Sequence, residues 1–89
     1  MTAAALQRQA YAQRQLELLA IRACELADQV AAGSLAFLDG VDLAYSAAVW
    51  ADLPRAIERA GLVEGITTGD DVVQSVLAAA FANAQRWPT

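Results

Sequence analysis

The chain reads as an all-α protein: a small bundle of about four helices, led by a long N-terminal helix. Three observations predict this. Apolar residues recur at spacings of three and four along most of the chain. Gly and Pro fall at a few breakpoints, none of them before Gly33. Strand-like runs are confined to Leu62-Val63 and Val72-Val73, both too short. At 89 residues the chain is one domain's worth of protein, read here as a single helical domain over residues 1–89.

The first helix is expected over residues 3–32, with Thr2 as its cap. Leu16, Leu19, Ala23, Leu26 and Val30 form one face. Traced backwards, that face reaches Ala12, Gln9 and Ala5 and so weakens toward the N-terminus. Residues 7–15 are mostly polar, with good helix propensity but little apolar area to bury. A helix of this length would run roughly 45 Å, more than a small domain needs.

Gly33 stops the first helix, and Ser34 is a suitable cap for a second, running from Leu35 to about Ala51. Leu35, Leu38, Val41, Tyr45, Ala48 and Val49 make its expected buried stripe. Gly40 interrupts it at a cost of about 1 kcal/mol relative to Ala, and marks either a close helix approach or a kink. Pro54 opens a short third helix behind Asp52 or Leu53; it ends at Gly61, with Ile57 and Ala60 inward. Leu62 and Val63 are expected to pack back on the core, ahead of a glycine-bracketed loop, Glu64 to Thr68. Thr68-Gly-Asp-Asp71 is a capping box with Asp in place of Glu, and its acids favour the positive end of a helix dipole. The fourth helix then runs from Gly69 to about Arg86, with Val73, Leu77, Ala80, Ala84 and Trp87 as its seam. Val72, Val76 and Phe81 widen that seam, and Pro88 follows the helix.

The 57% apolar fraction contains 22 alanines, so the core is built from few large side chains and many methyl groups. Alanine seams work best with another helix lying directly on them. The first helix also outruns the fourth by about a dozen residues, which makes residues 1–14 a candidate exposed extension. Its first three turns would find no partner in a compact monomer, so a homodimer is predicted to complete the bundle. The alternative is an N-terminus that frays in solution.

All six basic residues are arginine, which together with the alanine content has the look of a GC-rich bacterial genome. The net charge of −4 is uneven: residues 1–24 carry +2, residues 25–73 carry −7 and residues 74–89 carry +1. The acidic middle opposes binding to nucleic acid or anionic membranes. No run approaches the ~18 apolar residues of a membrane span, and no basic start leads into an apolar leader. With Cys24 as the one thiol, the cytoplasm is the expected compartment.

Candidate sites are sparse. Asp39, Asp42 and Ser46 share a helix face and can in principle hold a hard cation. No His, Lys or third carboxylate accompanies them, so the reading preferred is a solvated polar face. Gly65 to Gly69 lacks the spacing and the Lys of a phosphate loop. Cys24 is expected to be a small buried or half-buried residue without activation. A helix-turn-helix formed by the last two helices would present acids to bases. Arg8, Arg14 and Arg22 with Tyr11 have the chemistry of a nucleic-acid contact, but rotations of about 240° and 80° between them spoil a single stripe. Trp50 and Trp87 each close a helix, as core residues or as interface anchors.

No catalytic, cofactor-binding or metal-ligating residue is therefore expected, and no small-molecule substrate. The leading expectation is a non-enzymatic helical module for protein–protein interaction and oligomerisation, using Arg8, Tyr11, Arg14, Trp50 and Trp87. Its expected partners are itself and another protein. The alternative is an accessory protein of DNA replication or transcription that contacts DNA through the Arg-bearing N-terminal helix.

Overall fold

Local signals set most of the helix ends. The computed structural model of the protein describes residues 2–85, which form α1 (Ala3–Ala31), α2 (Phe37–Trp50), α3 (Leu53–Arg59) and α4 (Gly69–Gln85), with no strand among the described residues. The all-α, four-helix expectation holds. Thr2 caps α1 through its hydroxyl, which accepts from the Ala5 N–H at 3.1 Å. Gly33 ends α1 in the left-handed region (φ 81°). There its N–H donates to the Val30 carbonyl at 3.0 Å and the Ser34 N–H donates to the Gln29 carbonyl at 2.9 Å.

That arrangement corrects the expected start of the second helix. Ser34 is consumed in closing α1, so α2 begins at Phe37 behind Ala36, with no side-chain cap. Asp52, also left-handed (φ 55°), ends α2 and opens α3, with Pro54 in the first turn. Asp tolerates this conformation better than most side chains. Its carboxylate accepts from the Arg59 guanidinium at 3.0 Å instead of capping the helix. Gly61 (φ 72°) ends α3 as Gly33 ends α1, with Leu62 N–H donating to the Ile57 carbonyl at 3.1 Å. At α4 the capping box is reciprocal: the Asp71 N–H donates to Thr68 Oγ1 at 3.1 Å, and the Thr68 N–H to Asp71 Oδ2 at 2.9 Å.

α2 and α3 run head to tail back along α1. Gly40 lies against Val30, Ala47 and Ala51 lie across from Leu18 and Arg22, and Ala56 and Arg59 lie across from residues 4–11. α4 then returns parallel to α1, starting on Pro54 and bringing Phe81 edge-on to Phe37 with ring centroids 6.0 Å apart. The molecule measures 50 × 22 × 17 Å, its long axis set by α1.

The predicted α1 seam is the buried one. Leu19, Ala23 and Leu26 are buried, with Leu16 and Val30 packed at its edge. It also continues further back than expected: Ala12 is 0% exposed, and Ala5 and Gln9 are half-buried. α3 thus covers one side of a segment expected to lack a partner within the chain. Most of residues 1–14 nevertheless remain exposed.

The buried face of α2 overlaps its predicted stripe in part: Ala48 is buried, and Leu35, Val41 and Tyr45 pack at the edge of the core. Gly40, Ala44 and Ala48 are buried, while Leu38 is 72% exposed and Val49 also faces out. The small residues win because the helices approach closely: a Cβ at Gly40 would stand 2.9 Å from Val30 Cγ2 and 3.1 Å from Phe81 Cε1. Gly40 therefore marks a close approach. Val73, Leu77 and Phe81 form the centre of the α4 seam, with Val72, Val76 and Ala80 at its edge. The side chain of Ala84, and all of Arg86, Trp87 and Pro88, lie outside the described residues. Leu62 and Val63 pack back on the core, as their sequence position predicts.

Candidate protein-docking face

Hydrophobic side chains in this protein are divided unusually between inside and outside. Among the described residues, seven large ones are buried: Leu19, Leu26, Leu53, Ile57, Val73, Leu77 and Phe81. Among the same residues nine are exposed, and most of these lie on α1 and α2. Trp50, the last residue of α2, is 89% exposed. Core packing is therefore excluded as its role.

A largely exposed series on α1 has its own helical period, with Gln15 half-buried within it. Ala4, Arg8, Tyr11, Gln15, Leu18 and Arg22 are spaced four, three, four, three and four apart, so they share a face beside the core seam. α3 and α2 supply the opposite wall in turn. Ala4, Gln7, Arg8 and Tyr11 face Ala56 and Arg59 across a groove of about 440 Å³. Gln15, Leu18 and Arg22 face Ala47 and Ala51 in its continuation. The two grooves follow one another along α1, spanning about 27 Å from residue 4 to residue 22. Trp50 and Leu43 stand exposed on the outer side of its α2 wall.

Of the predicted interface residues, Arg8 and Tyr11 line the same groove, with Arg22 further along it. Arg14 is about 120° round the helix from Arg8 and lines neither stretch. Trp50 lies on the α2 side, and Trp87 lies outside the described residues. Sequence reasoning missed Leu18, Leu43 and Arg59. The α1 series from Ala4 to Arg22 was a readable signal for Leu18. Arg59 enters only because Asp52 turns the chain and then holds it, with Arg55 Nε also 3.9 Å from that carboxylate.

The other candidates remain apart. Asp39, Asp42 and Ser46 line an open depression with Leu35 and Leu43. Among the described residues, no three His, Cys, Asp or Glu side chains converge to hold a metal ion. Cys24 is exposed, which corrects the expectation of burial: it lies one helical step from buried Ala23 and turns outward. An apolar groove of about 460 Å³ separates α2 from α4, with Phe37, Val41, Leu77 and Phe81 in its walls. Nearby, the half-buried Tyr45 hydroxyl donates to Asp70 Oδ1 at 2.5 Å, joining α2 to the start of α4. That hydrogen bond, then burial and the carboxylate's charge, raise the Tyr45 pKa above its ordinary value. No helix among the described residues is long and apolar enough to cross a membrane.

No family model, no curated protein and no solved structure matches the chain.

Proposed function

We propose that this protein is a non-enzymatic helical module for protein–protein interaction and oligomerisation, docking through the outer faces of α1 and α2. The observation that carries the reading is the apolar surplus left outside the core, with Trp50 as its most prominent member. Tryptophan and arginine, both exposed on α1 and α2, are among the side chains most enriched in binding hot spots.

The reading includes a bacterial cytoplasm as the setting, on the strength of the all-arginine, alanine-rich composition and the single cysteine. Contact with DNA receives no such support, because the arginines of α1 do not form one stripe and the chain is acidic overall. The test is affinity capture from native cytosol with the tagged full chain beside a Leu18→Ser/Trp50→Ser variant of equal helicity. The reading predicts a stoichiometric protein retained by the wild type and lost by the variant. Identical recovery by both baits would refute it.

A further inference from the structure

Charge is unevenly shared between the chain as a whole and the grooves along α1. The sequence holds ten acidic residues against six arginines, for a net charge of −4. Yet among the described residues every charged side chain lining those two grooves is an arginine. Arg8 and Arg59 line the first, Arg22 lines the second, and no Asp or Glu lines either. Asp52 holds Arg59 at 3.0 Å, whereas Arg8 and Arg22 form no ion pair among the described residues. Between the arginines the lining is neutral: Tyr11, Gln15 and Leu18 on α1, with Ala47 and Ala51 opposite. Arg8 and Arg22 are 14 residues apart on one side of α1, about 21 Å along its axis.

Backbone geometry narrows the occupant to a helix. The described residues offer no strand edge, so an extended segment finds no ladder to join. α1 instead presents Ala4, Arg8, Tyr11, Gln15, Leu18 and Arg22 at spacings of four and three, the row that a helix packed alongside meets. The same face of a second copy would set arginine against arginine. Resting on the docking role proposed above, we infer that the grooves receive an amphipathic helix of another protein, acidic at both ends. Its apolar stripe packs on Tyr11, Leu18 and the alanines of the facing wall. A carboxylate at one end enters between Arg8 on α1 and Arg59 on α3. A second carboxylate, about 14 residues further along the bound helix, reaches Arg22. Trp50 is about 60° round α2 from Ala47 and covers the bound helix from the rim. Apolar contact supplies most of the affinity, and the arginines select an acidic partner and fix its register.

Two fluorescein-labelled peptides of 18 residues test this with the full chain. One is an alanine-based helix with two glutamates 14 positions apart and three leucines on the same face between them. The other carries lysine in place of both glutamates. Fluorescence anisotropy is expected to show the glutamate peptide binding at least 10-fold tighter than the lysine peptide, and weakening as salt rises from 50 mM to 500 mM. Arg8→Glu/Arg22→Glu is expected to reverse that preference, which a misfolded protein cannot do. Amide shifts caused by the glutamate peptide are expected along residues 4–22 and at Ala47, Ala51 and Ala56. The inference is overturned if the wild type binds neither peptide or both alike, if the double substitution leaves the preference unchanged, or if the shifts map elsewhere. Tighter binding of a 20-base-pair DNA duplex overturns it as well, as does a wild-type dimer that excludes the peptide. Failure of the peptide, beside a cytosolic protein that the wild type retains and Leu18→Ser/Trp50→Ser loses, defeats the acidic helix alone. Loss of both results defeats the docking reading with it.

Discussion

Replacing Gly69 with alanine is expected to be the most damaging single-methyl change in the molecule. Intrinsic propensity argues the other way, since alanine is favoured over glycine in a helix by about 1 kcal/mol. Backbone conformation does not demand glycine here either, because Gly69 is not among the left-handed residues. The demand is spatial. A Cβ on Gly69 would lie 1.9 Å from the Pro54 carbonyl oxygen and 2.6 Å from its carbon. Relief requires the starts of α3 and α4 to separate by roughly 1.5 Å, and overpacking of this kind costs about 1–3 kcal/mol or more. Separation also stretches the 2.8 Å hydrogen bond from the Gly69 N–H to Glu58 Oε2. That bond contributes about 1 kcal/mol. Offset by the propensity gain, the net loss is about 1–3 kcal/mol, or a melting temperature lower by about 5–20 °C for a domain of this size. Thermal and urea denaturation followed by circular dichroism measure it. Gly40→Ala is the comparison: its added Cβ would meet Val30 Cγ2 at 2.9 Å, Phe81 Cε1 at 3.1 Å and Leu35 Cδ2 at 3.4 Å, all side-chain atoms and none of them backbone. Its loss is expected to be smaller than that of Gly69→Ala. A Gly69→Ala melting point within about 3 °C of the wild type would refute the steric argument, as would equal losses in the two variants.

At Asp52, Gly and Ala replacements both remove the contacts to Arg55 and Arg59, but only Ala keeps the left-handed penalty. Urea titration should find Asp52→Gly about 1 kcal/mol more stable than Asp52→Ala. Tyr45→Phe removes the α2–α4 hydrogen bond and should lower the urea midpoint near neutral pH. Because the folded Tyr45 pKa lies above its unfolded value, the folded state holds that proton more tightly. Its contribution is complete below about pH 10 and falls as pH rises through the folded pKa. Urea midpoints at pH 8 and pH 10.5 should show that decline in the wild type, with less of it in Tyr45→Phe. Thr68→Ala breaks the capping box at α4 and should lower stability by about 1 kcal/mol. Amide exchange should then accelerate at Asp71, whose N–H loses its acceptor.

Helix ends were the most legible part of the sequence, because their causes are local. Gly33, Gly61, Pro54 and the Thr68–Asp71 pair each act within a few residues of themselves. The buried face of α2 was misread in part, for a physical reason. Hydrophobic periodicity gives weight to Leu38 and Val49, but close helix approach selects Gly40 and Ala44 beside the expected Ala48. The Gly69–Pro54 contact and the Tyr45–Asp70 hydrogen bond join residues distant along the chain, so no local pattern announces them. The site was half legible. Arg8, Tyr11 and Trp50 stand out by residue type, and all three are exposed. Cover for the start of α1 was not legible, because it depends on α3 continuing the path of α2 beyond the corner at Asp52.

Hydroxyl-radical footprinting of Trp50 tests the docking role most directly, because it reads the side chain's cover whatever supplies that cover. The full chain would be compared in native cytosol and as purified protein diluted to nanomolar concentration, with fully exposed Ile66 as the internal reference. A docked α1–α2 face predicts strong protection of Trp50 and Leu18 in cytosol while Ile66 reacts equally in both. Equal oxidation of Trp50 in the two samples would mean that nothing covers this face, and would contradict the proposed function.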